Sequence, residues 1–161
     1  MQIRSATVQD ADQCASIYAP FVTDSWVSFE STPPDVTEMG RRIEQTLASY
    51  EWLVSEVDGH VAGYAYGSEH RSREAYKTSC DVTVYVDPSF SRRGIGRALY
   101  IDLFERLKKR GFHALFAGIA LPNDASLGLH QSLGFKPVGV YQQVGRKLGA
   151  WRDVQWMQRL L

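Results

Sequence analysis

Apolar residues recur at helical spacing in four segments of the chain and at strand spacing in seven others. The helical segments are 7–18, 35–49, 94–110 and 123–133. The strand segments are 3–6, 52–57, 60–66, 78–86, 114–119, 137–144 and 154–160. Between them we predict an irregular or partly helical stretch at 20–34, a polar loop at 71–77 and a loop around Trp151-Arg152-Asp153. The pattern predicts one α/β domain over residues 1–161.

The order of these segments indicates how two of the strands run. Asp58-Gly59 between two apolar runs is typical of a two-residue β-hairpin turn. The helix over 94–110 connects strands 78–86 and 114–119. A crossover of this kind makes the two strands parallel and the connection right-handed.

Composition excludes several classes of protein. Lys+Arg and Asp+Glu both total 18, so we expect neither nucleic acid nor a membrane surface as a partner. No apolar run approaches the roughly 20 residues of a membrane span, and Met1–Arg4 is not followed by the apolar core of a signal peptide. Cys14 and Cys80 have no metal or redox spacing. We therefore expect buried thiols, no metal and a cytoplasmic location.

The segment after strand 78–86 has the features of an anion site. The strand ends at Val84-Tyr85-Val86, and the run Ser91-Arg92-Arg93-Gly94-Ile95-Gly96-Arg97 then opens a helix. The first N–H groups of a helix lack partners and carry partial positive charge, and glycines let an anion approach them. The spacing fits neither a Walker A loop nor the dinucleotide fingerprint. We predict a pyrophosphate site here; the alternative is an ordinary helix start with a glycine-eased turn.

Two motifs give the chain a resemblance to a known family. The glycine run resembles the coenzyme A pyrophosphate loop of GNAT-type N-acetyltransferases, and the stretch from Asn123 to Phe135 resembles a second motif of that family. Further segments resemble the phosphinothricin, methionine sulfone and methionine sulfoximine N-acetyltransferases, so the resemblance covers essentially the whole chain. These segments are 27–30, 73–76, 121–124 and 145–154.

The resemblance implies a fold, a reaction and a partner. The fold is α/β (α+β): a mixed, mostly antiparallel sheet of about seven strands with a parallel pair splayed at the acetyl-CoA site, and four helices. The reaction is the direct, acetyl-CoA-dependent acetylation of the primary amine of a small amino-acid-like molecule, usually by a homodimer. The implied coenzyme contacts are Val84, Tyr85, Val86, Arg92, Arg93, Gly94, Ile95, Gly96, Arg97, Asn123 and Ser132.

Asp81 and His130 are the candidate catalytic residues. An ammonium group must lose a proton before it attacks a thioester, and a carboxylate can take that proton. Asp81 stands where the family usually has a glutamate, and its shorter side chain sets the carboxylate back by about 1.5 Å, one C–C bond. The alternative is a structural ion pair with Arg71, Arg73 or Lys77.

His130 stands where the wider family has a tyrosine. An imidazole can protonate the leaving thiolate or act as the base for the amine, and the alternative is a packing role. Asn123 lies about two helical turns earlier on the same face, so both side chains are expected to point at one ligand. Asn123 can also serve as the N-cap of this helix.

The candidate substrate-binding residues are Phe29, Arg71, Arg73 and Tyr76. An arginine fork binds a substrate carboxylate, and the two aromatic rings form an apolar wall. The alternatives are solvated loop arginines and core aromatics. The Trp151-Arg152-Asp153 loop is expected either to close the pocket or to meet a second subunit.

Two other functions stay open at this point. One is the acetylation of a different amine, such as a polyamine, an aminoglycoside or a peptide N-terminus. The other is a non-catalytic coenzyme A sensor.

Overall fold

The strands form one seven-stranded sheet in the order β1-β2-β3-β4-β5-β7-β6, in a computed structural model that describes residues 1–161. Their bounds are β1 Gln2–Ser5, β2 Trp52–Val57, β3 His60–Glu69, β4 Ser79–Val86, β5 Ala114–Ala120, β6 Lys136–Lys147 and β7 Ala150–Leu160. Only β4 and β5 pair in parallel, and every other neighbouring pair is antiparallel. The expected mixed sheet with one parallel pair is confirmed.

Four α-helices and three short 3₁₀ turns connect the strands. The helices are α1 Ala11–Thr23, α2 Val36–Ser49, α3 Ile95–Lys109 and α4 Asp124–Ser132. The 3₁₀ turns are Val8–Asp10, Glu74–Tyr76 and Pro88–Phe90. The Asp35 side chain caps α2 by accepting the Glu38 N–H at 2.8 Å, and Asn123 caps α4 in the same way. No helix is both long and apolar enough to cross a membrane.

The helices pack on opposite faces of the sheet. One buried cluster joins α3 to the sheet and contains the predicted core positions Ile95, Leu99, Leu103 and Leu107. A second cluster joins α1 and α2 to the other face. Both cysteines are free and fully buried, as expected. Both faces of the sheet are therefore covered by helices. A ligand held under the helices of one face can meet a ligand on the other face only through a gap between strands.

The parallel pair provides such an opening. Strands β4 and β5 are in register only at Ser79–Ala114, Cys80–Leu115 and Asp81–Phe116. Beyond Asp81 they diverge, while β4 stays paired with β3 up to Val86. The backbone of β4 between Val82 and Val86 therefore borders a gap in the sheet.

Two predictions about segment boundaries are wrong. The predicted helix ends at residue 18, but helix α1 continues through Pro20 to Thr23. The proline ring removes only one backbone hydrogen bond. The last turn is still stabilised by the fully buried Val22 and by a 2.9 Å hydrogen bond from Asp24 N–H to Pro20 O. Trp151-Arg152-Asp153 is not a loop but the start of β7.

The β6–β7 turn explains the second error. It consists of Leu148 and Gly149 alone, both at positive φ (52° and 74°), and Lys147 pairs directly with Ala150. Left-handed backbone at both central residues is the geometry of a tight two-residue hairpin, which Asn-Gly or Asp-Gly usually signals. A leucine in the first position concealed it.

Candidate active site

Two cavities meet at the gap between β4 and β5. The larger, here called the front cavity, has a volume of about 670 Å³ and lies on the α1 side of the sheet. The smaller, here called the cleft, measures about 70 Å³ and is bordered by α3 and α4. The two share Val27, Val82, Thr83, Tyr85, Gly118 and Ala120 in their linings. This arrangement lets a ligand on one side of the sheet meet a second ligand on the other.

The glycine loop stands at the N-terminus of α3. The first i→i−4 hydrogen bond of this helix runs from Ala98 N–H to Gly94 O at 3.0 Å, so the N–H groups of residues 94–97 have no partner within the helix. Gly94 adopts φ +75°, which favours glycine, and no atom lies within 4 Å of where its Cβ would stand. Backbone donors and open space together suit an approaching phosphate.

Three arginines surround this loop. Arg93 stacks over the Phe90 ring at 5.2 Å, and Arg97 donates to the Ser132 hydroxyl at 3.2 Å. Arg92 has φ 61° and is exposed. Arg97 therefore connects the N-terminus of α3 to Ser132 at the C-terminal end of α4.

The gap also exposes backbone donors of β4. Asp87 N–H bonds to Ala62 O of β3 at 2.9 Å. Because N–H direction alternates along a strand, the N–H groups of Val84 and Val86 point away from β3 and into the gap. The Tyr85 ring packs edge-on against Tyr18 at 4.9 Å and lines both cavities. The arrangement can accept a carbonyl oxygen or an extended polar chain.

Asp81 lies at the last paired rung of β4 and β5, in the lining of the front cavity. Its Oδ1 accepts a hydrogen bond from His70 Nδ1 at 2.6 Å. Burial raises the pKa of this carboxyl, and the hydrogen bond from His70 partly opposes the rise. The expected alternative partners do not pair with it: Lys77 bridges to Glu74 at 2.8 Å, and Arg71 donates to the His70 carbonyl at 2.7 Å.

His130 is buried in the cleft beside Tyr100. Its Nδ1 lies 2.7 Å from Ser126 O, and its Nε2 lies 3.1 Å from the Tyr100 hydroxyl. A carbonyl only accepts, so Nδ1 carries the proton and Nε2 accepts from the hydroxyl. Burial lowers the pKa of this imidazole and so favours its neutral form. Asn123 lines the same cleft, as its helical spacing predicts.

Segment 28–30 forms part of the wall of the front cavity and is held there by a buried lysine. Lys147 of β6 is buried, and its Nζ donates to the carbonyls of Ser28 at 2.7 Å and Glu30 at 2.5 Å. The Glu30 carboxylate is held in turn by a two-pronged contact from Arg42 and by the Tyr18 hydroxyl. The guanidinium of Arg42 lowers the pKa of Glu30. Phe29, anchored between these contacts, lines the cavity, and its contact with substrate stays a prediction.

The other candidate substrate residues lie elsewhere in this single chain. Arg71 lines a separate cavity of about 280 Å³ with His70. Arg73 and Tyr76 are exposed at the neighbouring 3₁₀ turn and do not line the front cavity. No basic side chain lines the front cavity, whose charged groups are Asp81 and Glu30. The contact of Arg71, Arg73 and Tyr76 with substrate stays a prediction.

Comparison of the sequence with known proteins identifies the family of this chain. Residues 3–156 match the acetyltransferase (GNAT) domain. The chain belongs to the GNAT acetyltransferase family. It is 37% identical over 159 residues to the phosphinothricin N-acetyltransferase of Streptomyces viridochromogenes, covering 99% of this chain and 87% of the relative. It is 35% identical over 159 residues to the L-methionine sulfoximine/L-methionine sulfone acetyltransferase of Salmonella typhimurium, covering 98% and 93%.

Two solved structures superpose on this acetyltransferase along its whole length. The ribosomal-protein-alanine N-acetyltransferase of Brucella melitensis gives a TM-score of 0.97 at 35% identity, covering 100% of both chains. The phosphinothricin acetyltransferase of Sinorhizobium meliloti, solved in complex with AcCoA, gives 0.95 at 34% identity, covering 99% of this chain and 88% of that one. The expected GNAT fold and the assignment as an N-acetyltransferase are confirmed.

Sequence reasoning missed three residues of the site. Tyr100 fits the pattern as one more apolar position of α3, and Lys147 lies beyond the predicted strand 137–144. His70 follows directly after the hairpin pairs Ser68–Asp81 and Glu69–Cys80. Counting the register of strands 60–66 and 78–86 outward from their hydrogen-bonded core would have placed His70 next to Asp81.

Proposed function

We propose that this enzyme transfers the acetyl group of acetyl-CoA to the primary amine of a small amino-acid-like molecule, of the phosphinothricin, methionine sulfone or methionine sulfoximine type. The single observation that carries the proposal is the opening through the sheet. The N-terminus of α3, whose free N–H groups suit an anion, lies beside Val84 of the cleft lining. The Asp81 carboxylate lines the front cavity on the other side. The similarity of this chain to phosphinothricin and methionine sulfoximine/sulfone acetyltransferases favours this substrate class.

The residues of the cleft suit the coenzyme. Acetyl-CoA supplies an acetyl group activated as a thioester. The N–H groups at residues 94–97, with Arg92, Arg93 and Arg97, bind the pyrophosphate in this proposal, and Asn123 and Ser132 contact the remaining chain. The Val84 and Val86 N–H groups hold the pantetheine and a carbonyl oxygen on which negative charge develops.

Asp81 accepts the proton that the substrate ammonium must lose. Its raised pKa makes it a stronger base than an exposed aspartate while it remains ionised. The freed amine then forms the new N–C bond and the C–S bond breaks. The second proton of the amine nitrogen passes to the departing sulfur, so the coenzyme leaves as a thiol. The Tyr100–His130 pair lies in the cleft, where it can relay that proton.

Direct transfer is favoured over an acetyl-cysteine intermediate. Cys14 and Cys80 are fully buried and line neither cavity. Burial raises the pKa of each thiol to about 12, so neither forms a thiolate near neutral pH. Two free thiols also support the proposed cytoplasmic location.

We also propose a homodimer that uses the β6–β7 hairpin. Strand β6 is one of the two edge strands of the sheet, and exposed apolar side chains cluster on this hairpin. They are Val138, Val140, Tyr141, Val144, Leu148 and Trp151. Sedimentation equilibrium of the wild type should give twice the mass of one chain. The double variant Val140→Lys, Val144→Lys should give the mass of one chain. A wild type that is monomeric at all concentrations would contradict the dimer.

The test of the proposed reaction is thiol release from acetyl-CoA against a panel of amines. The panel contains phosphinothricin, methionine sulfone, methionine sulfoximine, a polyamine, an aminoglycoside and a peptide with an N-terminal alanine. Turnover restricted to the first three supports the proposal. Turnover on the peptide alone, the activity for which the Brucella melitensis protein is named, would replace the proposed substrate class with a protein N-terminus. Acetyl-CoA binding without turnover on any amine favours a sensor.

A further inference from the structure

Asp81 lines the front cavity, and one of its two carboxylate oxygens is hydrogen-bonded to His70. Oδ1 accepts the His70 Nδ1–H at 2.6 Å, and Oδ2 has no hydrogen-bond partner in the protein. An ionised carboxylate only accepts hydrogen bonds, so Nδ1 of His70 carries the proton. One carboxylate oxygen is thus fixed in direction, and the second is available to a ligand.

The His70 ring is itself fixed on three sides. It stacks on Phe116 at 4.1 Å with an interplanar angle of 11°. Tyr76 and Trp156 meet it edge-on at 6.0 and 6.1 Å. Only 12% of the His70 side chain is exposed. Because Phe116 is also the β5 partner of Asp81, the ring that holds His70 belongs to the same rung as the carboxylate.

We propose that His70 is a positioning residue for the acetyl transfer, holding Asp81 so that its free oxygen takes the proton of the substrate amine. This rests on the proposed function. An aspartate is one methylene shorter than the glutamate usual at this position and has fewer carboxylate positions within reach of the cavity. Fixing one of its oxygens selects the orientation that serves the reaction.

The surroundings of the pair predict a pH signature. Arg71 faces it from the loop, and its charge lowers the pKa of Asp81. Tyr76 from the 3₁₀ turn and Tyr141 from β6 are the other titratable groups around the His70 ring and its cavity. Burial raises the pKa of Asp81 and the His70 hydrogen bond lowers it. Loss of the donor therefore raises that pKa, and the acidic limb of kcat/KM moves to higher pH, because the base must be ionised to act.

Two variants separate the hydrogen bond from the ring. His70→Phe keeps the stacking on Phe116 and removes the donor, whereas His70→Asn keeps an N–H donor near the position of Nδ1 and removes the ring. For the phenylalanine variant we expect kcat to fall by about tenfold to a hundredfold, the scale of a misplaced reacting group, with unchanged acetyl-CoA affinity. The asparagine variant should recover most of kcat and the wild-type acidic limb. A phenylalanine variant with wild-type kcat and an unshifted limb overturns the proposal.

A second readout does not depend on turnover. Carbon-13 NMR of the Asp81 carboxyl group, titrated without substrate, should show a higher pKa in His70→Phe and a near wild-type pKa in His70→Asn. An Asp81 pKa that His70→Phe leaves unchanged overturns the positioning role even when the enzyme is active. If the wild type acetylates no amine of the panel, the proposed function fails, and the titration still decides whether His70 controls Asp81.

Discussion

The Tyr100 hydroxyl donates a 3.1 Å hydrogen bond to Nε2 of His130 inside the cleft. Since Nδ1 is hydrogen-bonded to Ser126 O, both ring nitrogens of His130 have a partner. We therefore treat the imidazole and the phenol as one hydrogen-bonded pair. We expect His130→Phe and Tyr100→Phe each to lower kcat by about a hundredfold, the lower range for general acid–base groups, with little change in acetyl-CoA affinity. The double variant should be no slower than either single one. Steady-state kinetics check this, and full activity in both single variants would return the pair to packing.

Burial of His130 predicts an acid-sensitive fold. An unfolded histidine titrates near pH 6.5, and burial lowers the pKa of His130 in the folded state. The unfolded chain then binds the proton more readily. The contribution of His130 to stability is complete above about pH 6.5 and is lost as the pH falls toward the lower folded pKa.

Urea unfolding at pH 7.5 and pH 5.5 measures this contribution. The free energy of unfolding of the wild type should fall more steeply with acidification than that of His130→Gln, by at most about 1.4 kcal/mol per pH unit for one group. Equal slopes for the two proteins would show that folding leaves the pKa of His130 unchanged.

The proposed pyrophosphate site can be tested by placing a negative charge at Gly96, where there is room for a side chain. A Cβ at Gly96 would lie 3.5 to 3.8 Å from Leu129, Val86 and Val84, which is ordinary contact. Gly96→Ala should therefore fold and bind acetyl-CoA, while Gly96→Glu places a negative charge at the helix end and should weaken binding by about tenfold or more, at least ~1.4 kcal/mol. Calorimetric titration measures both affinities. Unchanged affinity in the glutamate variant would remove the pyrophosphate from this loop.

The contacts of Lys147 predict that its removal weakens binding of the amine but not of acetyl-CoA. Its buried ammonium group holds the carbonyls of Ser28 and Glu30 above the front cavity. Lys147→Met should cost about 1–3 kcal/mol of stability, because two carbonyls lose their donor, and should raise KM for the amine while acetyl-CoA affinity is kept. Lys136→Met, an exposed site on the same strand, is the matched control. An unchanged KM would show that segment 28–30 is held without Lys147.

Much of the fold could be predicted because its signals are local. The periodicity of Leu99, Leu103 and Leu107 predicts a buried helix face, and the crossover predicts the parallel pair that the structure contains. The errors fall where the backbone departs from the usual residue preferences. Pro20 lies inside a helix, and Leu148 adopts the left-handed conformation that the hairpin turn demands.

The site was predicted less completely, because its partners are distant in sequence. Asp81 and Asn123 were placed on the correct elements, but the hydrogen-bond partner of Asp81 is a histidine from the preceding strand's end and not a loop arginine. Lys147 is separated from Ser28 by 119 residues. Contacts of this kind depend on register and packing, which no local pattern carries.

The most direct test of the account compares the wild type with Asp81→Asn. Both should bind acetyl-CoA with the same affinity, since Asp81 lies in the front cavity and not in the lining of the cleft. We expect thiol release on the best amine of the panel to fall by about a hundredfold or more in the variant, the contribution of a general base. Wild-type turnover in Asp81→Asn would contradict the account, because the proton of the amine would then leave by another route.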